Sequence, residues 1–94
     1  MTILGWLSRS KRDDLVVVVY TRNGCHLCDD AWHELERFQA KHQFHLSAKD
    51  IDADPALAGQ FNTCVPVIEV NGHIRMRGRF NPVLFQRLLD AKVP

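Results

Sequence analysis

Several things are scarce in this chain, and each scarcity narrows what it can be. No apolar run approaches the ~20 residues of a membrane-spanning helix. The net charge of +1 provides no global field to recruit nucleic acid or an acidic membrane surface. Cysteine is limited to three residues, an odd number and too few for the disulfide framework of a small secreted scaffold. The thiols are therefore read as catalytic or metal-binding groups in a reducing, cytoplasmic setting. Internal repeats and low-complexity tracts are absent. What remains, 94 residues with 46% hydrophobic content, suits one domain with one modest core.

The first residues carry Ile3, Leu4, Trp6 and Leu7, followed by Arg9, Lys11 and Arg12. This apolar stretch is too short for a signal peptide, and its basic residues follow rather than precede it. Residues 1–13 are read as an N-terminal extension and 14–94 as the domain proper, acting as a monomer.

From Leu15 to Tyr20 the chain is β-branched without alternation, the pattern of a central strand buried on both faces. Thr21 to Gly24 then turns. A helical period follows from Cys25 to Lys41, with Leu27, Ala31, Leu35, Phe38 and His42 as its stripe. Asp29 and Asp30 in the first turn, with Arg37 and Lys41 in the last, suit the helix dipole. Phe44 to Ile51 reads as a second strand. Asp54 and Pro55 open a short helix that ends near Phe61. Val65–Val70 and His73–Arg77 are two strands joined at Asn71-Gly72, a strong hairpin signal. Asn81 caps a last helix with Pro82 at its first position and Leu84, Phe85, Leu88 and Leu89 as its stripe. The order is β-α-β-α-β-β-α, an α/β chain with a parallel crossover between its first two strands.

The chemistry concentrates in Gly24-Cys25-His26-Leu27-Cys28. Residues i and i+3 at a helix start are neighbours, at a separation that suits a disulfide. Cys25 stands where unpaired N–H groups and the helix dipole favour an anion, and thiols so placed are acidified from ~8.5 toward ~3.5–7.5. Cys25 is therefore the expected nucleophile. Cys28, one turn inside, is the expected resolving thiol. His26, as an imidazolium, would favour the Cys25 thiolate.

With Val65-Pro66 opening the third strand, the whole arrangement resembles the thioredoxin fold in its compact glutaredoxin form. Its anchors are Tyr20 to Cys28, Cys64-Val65-Pro66 and the Asn71-Gly72 hairpin, and it covers roughly residues 14 to 92. Gly-Cys-His-Leu-Cys is similar, more closely, to a group of small bacterial glutaredoxin-like proteins. The resemblance implies a four-stranded mixed sheet with helices on both faces and a cis Val65–Pro66 bond. It implies a dithiol–disulfide oxidoreductase that binds no cofactor and whose partners are a disulfide-containing protein or a glutathione mixed disulfide. Val65 would pair its backbone with the bound peptide or glutathione. The buried carboxylate that thioredoxin keeps on its first strand is missing, since Val16 to Val19 occupy that stretch.

For glutathione as reductant, the resemblance assigns Arg22 to the glycine carboxylate and puts Leu27 where an aromatic is usual. The backbone near Phe80 and Asn81 is left to hold the second carboxylate. A thioredoxin-type donor is the other reading. Cys64 takes the family's threonine position, as a small buried residue, a third redox thiol, or a metal ligand. The alternative function follows from the last: a metal or iron–sulfur binder using Cys25, Cys28 and Cys64. His33, His42, His45 and His73 lack ligand spacing. Arg75, Arg77 and Arg79 alternate along the fourth strand as a charged edge.

Overall fold

A computed structural model describes residues 12–91. The extension expected over residues 1–13 therefore lies outside the described residues, except for Arg12 and Asp13. The elements are β1 (Val16–Thr21), α1 (His26–His42), β2 (His45–Asp50), a 3-10 turn (Ile51–Ala53), α2 (Pro55–Phe61), β3 (Val67–Val70), β4 (His73–Arg77) and α3 (Pro82–Asp90). The four strands form one sheet in the order β2-β1-β3-β4. β1 runs parallel to β2 and antiparallel to β3, and β3 runs antiparallel to β4. This is the expected mixed sheet.

β1 lies between two strands because its valine run presents apolar surface to both sides. Val17 and Val19 join Ile68, Val70 and Met76 on one face, where Ala31 and Leu35 of α1 and Phe85 and Leu89 of α3 cover them. On the other face Tyr20 and Val67 pack with Ile51 and Phe61, so that α2 covers it, with Val18 partly buried alongside. Phe85 anchors the larger cluster: its ring centroid lies 5.0 Å from Phe38, 5.6 Å from Phe44 and 5.6 Å from Phe80. A fully buried side chain of this size stabilises the fold by about 1.5–3 kcal/mol.

Local signals set the boundaries. Asp54 and Asn81 each cap a helix by accepting a backbone N–H, from Ala56 and Leu84, with proline at the next position. Asn71 and Gly72 both take positive φ, 50° and 85°, as a two-residue turn matched to strand twist requires. Arg12 is tied into the body. Its amide donates to the His42 carbonyl at 2.9 Å and its guanidinium to the Leu89 carbonyl at 2.9 Å.

Three expectations change. β3 begins at Val67 rather than Val65, because Pro66 has no N–H for the ladder and the Cys64 and Pro66 carbonyls both accept from the Gly78 amide, at 2.7 and 2.8 Å. The apolar stripe of α1 runs through Cys28, Ala31 and Leu35, while Leu27 is 40% exposed. The arginines do not alternate regularly. A bulge leaves Arg75 without a partner in the β3–β4 register, and Arg79 lies beyond the end of β4.

Candidate active site

Strand register gathers the site at one end of the sheet. Thr21, the last residue of β1, pairs with Asp50, the last of β2, and Tyr20 pairs with Val67, the first of β3. Val67 in turn pairs with Arg77, the last of β4. The segments 22–25, 51–54, 62–66 and 78–81 therefore share that end.

The first of these segments turns at Gly24, whose φ of 77° is one that residues with a Cβ rarely adopt. This delivers Cys25 as the N-cap of α1, in extended conformation, with its sulfur accepting the Cys28 amide at 3.1 Å. Cys25 and Cys28 are joined as a disulfide, with Cα atoms 5.2 Å apart. The two sulfurs are not equivalent. Cys25 is partly exposed, whereas Cys28 is 2% exposed and packed under the first turn. His26 is exposed at the first helical position.

The Val65–Pro66 peptide bond is cis. Pro66 is buried and Val65 half-buried, and within the described residues neither backbone group of Val65 meets a backbone partner. Cys64 is a free thiol, also half-buried, packed against the Tyr20, Ile51, Phe61 and Val67 cluster. Among the described residues no group of three or more His, Cys, Asp or Glu side chains is gathered as a metal site; Cys25 and Cys28 are bonded to each other, and Cys64 packs into the α2 side of the core.

Arg22, the residue expected to contact glutathione, has partners of its own within the fold. Its guanidinium grips the Asp52 carboxylate with two nitrogens, at 2.8 and 2.9 Å, and donates to the Asn62 carbonyl at 2.8 Å and the Asn62 side-chain oxygen at 3.0 Å. The hydrogen bond from Arg22 holds the Asp52 carboxyl below its ordinary range, and the same bond raises the Arg22 pKa. The clamp ties the cysteine loop to the turn after β2 and to the segment before Pro66.

At the start of α3 the Asn81 and Leu84 amides have acceptors. Phe80 is buried in the aromatic cluster. The Asn81 amide donates to the Met76 sulfur at 3.3 Å, Pro82 has no N–H, and the Leu84 amide donates to the Asn81 side chain at 3.1 Å. Leu27 lines a shallow cleft with Asp30, Glu34 and Arg79. A second cleft, of about 210 Å³, reaches Cys28 between α1 and the β1–β2 side of the sheet, and Asp29, Trp32 and His33 line it.

Sequence reasoning missed two features: the Asp52–Asn62 clamp and the cleft beside Cys28. The partners of Arg22 lie thirty and forty residues away, and no local pattern marks such a pair. Asp29 reads as a first-turn acid suited to the helix dipole and His33 as a histidine without ligand spacing, and only the packing of α1 on the sheet brings both to one cleft with Cys28.

Strand order, the parallel crossover through α1 and the disulfide at its head define a thioredoxin-fold protein with a thiol redox role. The chain belongs to the Glutaredoxin-like domain (DUF836) family, whose model matches residues 16–91. Among solved structures it is similar to target protein XcR50 from X. campestris, at 29% identity over 81% of this chain and 97% of that one, with a TM-score of 0.67. It is also similar to protein Ne2328 from Nitrosomonas europaea, at 28% identity over 78% and 88% of the two chains, with a TM-score of 0.68. A mutant thioredoxin from Halobacterium salinarum, 17% identical over 87% and 77% of the chains, shares the fold with a TM-score of 0.66. No curated protein matches. None of the described helices is long and apolar enough to cross a membrane.

Proposed function

We infer that the chain is a dithiol–disulfide oxidoreductase acting on protein disulfides. The observation that carries this reading is the asymmetry of the pair: Cys25, partly exposed, caps the helix, and Cys28 is buried behind it. Helix N–H groups favour a sulfur anion at Cys25 over one elsewhere.

In the reduced chain the Cys25 thiolate attacks one sulfur of a substrate disulfide. A Cys25–substrate bond forms, the substrate S–S bond breaks, and the electron pair leaves on the second substrate sulfur, which takes up a proton. Cys28 then attacks the Cys25 sulfur. The Cys25–Cys28 bond closes and the remaining substrate thiol departs. Two electrons have passed from the dithiol to the substrate, and a cellular thiol reductant restores the pair, as in a reducing cytoplasm.

A peptide suits the site better than glutathione does. Glutathione presents two carboxylates to be gripped. Here Arg22, three residues before Cys25, already holds Asp52, and the amides of Asn81 and Leu84 at the head of α3 already have acceptors. The Val65 backbone, half-buried beside the cis proline, offers an N–H and a C=O to an extended peptide, the pairing used in strand addition. The exposed Leu27 adds an apolar contact next to the pair.

Trapping tests the reading. With Cys28→Ser the mixed disulfide cannot be resolved, so proteins attached through Cys25 should accumulate and be released by reductant. A chain that captures no disulfide substrate through Cys25, and reduces none as wild type, overturns the proposal.

A further inference from the structure

Cys28 has a proton to lose. It can close the disulfide only as a thiolate, and an apolar enclosure disfavours that anion. Yet among the described residues no polar or charged side chain is buried, so the interior holds no base for it. The cleft of about 210 Å³ that reaches Cys28 is the route outward, with room for several water molecules at ~30 Å³ each.

The groups around that cleft decide where the proton goes. β1 contributes Val19 and Thr21 and β2 contributes Ala48, none of which titrates in the working range. From α1 come Cys28, Asp29, Trp32 and His33, so Asp29 and His33 are the ionisable side chains that line the cleft together with Cys28. They stand four residues apart, on one helix face. His33 opens to solvent and lies 3.5 Å from Glu36. Asp29 also borders the neighbouring cleft, where Arg22 and Asp50 are its charged neighbours. Asp30, its equal in charge and next in sequence, faces the other way, into the Leu27–Arg79 cleft.

We propose that Asp29 accepts the proton of Cys28 through this cleft and that His33 passes it to solvent, so that the pair drives the resolving step. The inference rests on the dithiol reading above. The proton leaves the Cys28 sulfur for the Asp29 carboxylate, and the resulting thiolate attacks the Cys25 sulfur. The Cys25–substrate bond breaks, with its electron pair on the departing substrate sulfur. That sulfur takes a proton from solvent while Asp29 returns its own through His33. No net proton and no outside oxidant is required.

A symmetrical aromatic disulfide separates the two steps, read in stopped flow on the full chain carrying Cys64→Ser. The first coloured thiolate appears when Cys25 attacks, the second when Cys28 resolves. Asp29→Asn should slow the second release by at least about tenfold at neutral pH and make it climb steadily with pH. Asp29→Glu should restore it, and His33→Gln should slow it in the same sense. Asp30→Asn removes the same charge from the same helix turn and should leave the second release unchanged. Equal second-release rates and pH profiles for Asp29→Asn and Asp30→Asn overturn the inference while leaving the oxidoreductase reading intact. A wild-type chain that releases no thiolate overturns that reading, and this inference with it.

Discussion

Arg22 holds Asp52 through two parallel hydrogen bonds, 2.8 and 2.9 Å long, across thirty residues of sequence. Bidentate geometry of this kind is directional as well as strong, and here it fixes the loop that carries Cys25 to the turn that follows β2. The cation expected to grip a small anionic substrate also ties two loops of the scaffold together.

Releasing Arg22 should therefore change substrate preference. In Asp52→Ala combined with Asn62→Ala, the guanidinium loses its internal side-chain acceptors. The ratio of kcat/KM for a glutathione mixed disulfide to that for a protein disulfide should rise by about fivefold or more, from a new charge-assisted contact of the order of 1 kcal/mol or greater. An unchanged ratio would show that Arg22 does not govern the choice.

The same ion pair has a pH signature. Asp52 is held below its ordinary range by the Arg22 hydrogen bond. A depressed folded-state value means that its contribution is present above the unfolded value, ~3.9, and is lost as pH falls through the lower folded value. The carboxyl carbon of Asp52, followed by NMR, should titrate below ~3.9 and return toward it in Arg22→Gln.

Tyr20 is the sole tyrosine of the chain, which makes it an internal reporter. Its hydroxyl donates to Glu69 at 2.5 Å, and that bond, with burial and the Glu69 charge behind it, pushes its pKa up to about 12. Because the folded value is raised, the stabilisation is fully present below the unfolded value of ~10 and lost as pH rises through about 12. Tyrosinate absorbance should show one transition near the higher value in the folded chain and near ~10 in denaturant. Tyr20→Phe should cost about 1–3 kcal/mol by stranding the Glu69 carboxylate.

Phe85 is fully buried at the meeting point of Phe38, Phe44 and Phe80. Phe85→Ala should destabilise the domain by about 3–5 kcal/mol in urea unfolding. A loss under about 1 kcal/mol would mean that the cluster collapses around the gap.

How much of this was legible in the sequence follows the range of each interaction. The unbroken valines of β1, the Asp54-Pro55 and Asn81-Pro82 helix starts and the Asn71-Gly72 turn are local signals, and the elements sit where those signals put them. Periodicity misplaced Leu27, because i,i+4 spacing from Ala31 cannot show that the first turn of α1 faces a loop cleft, while Cys28 takes the core position. Position in a familiar motif did not reveal the Asp52 partner of Arg22, since charge pairing across thirty residues depends on how two loops meet. The cysteine pair was readable from spacing, and so was the deeper position of Cys28 one turn inside the helix, which the packing of α1 on the sheet bears out.

The central claim is that Cys25 and Cys28 exchange two electrons reversibly with disulfides. Equilibration of the full chain in thiol–disulfide buffers of graded potential, with alkylation of free thiols and mass analysis, tests it most directly. One reversible two-electron transition of the Cys25–Cys28 pair is expected, inside the roughly −270 to −120 mV range of dithiol proteins of this fold. It should be lost in Cys25→Ser and in Cys28→Ser and retained in Cys64→Ser. A pair that stays oxidised or reduced across that whole range, or a transition that survives loss of Cys28, would contradict it.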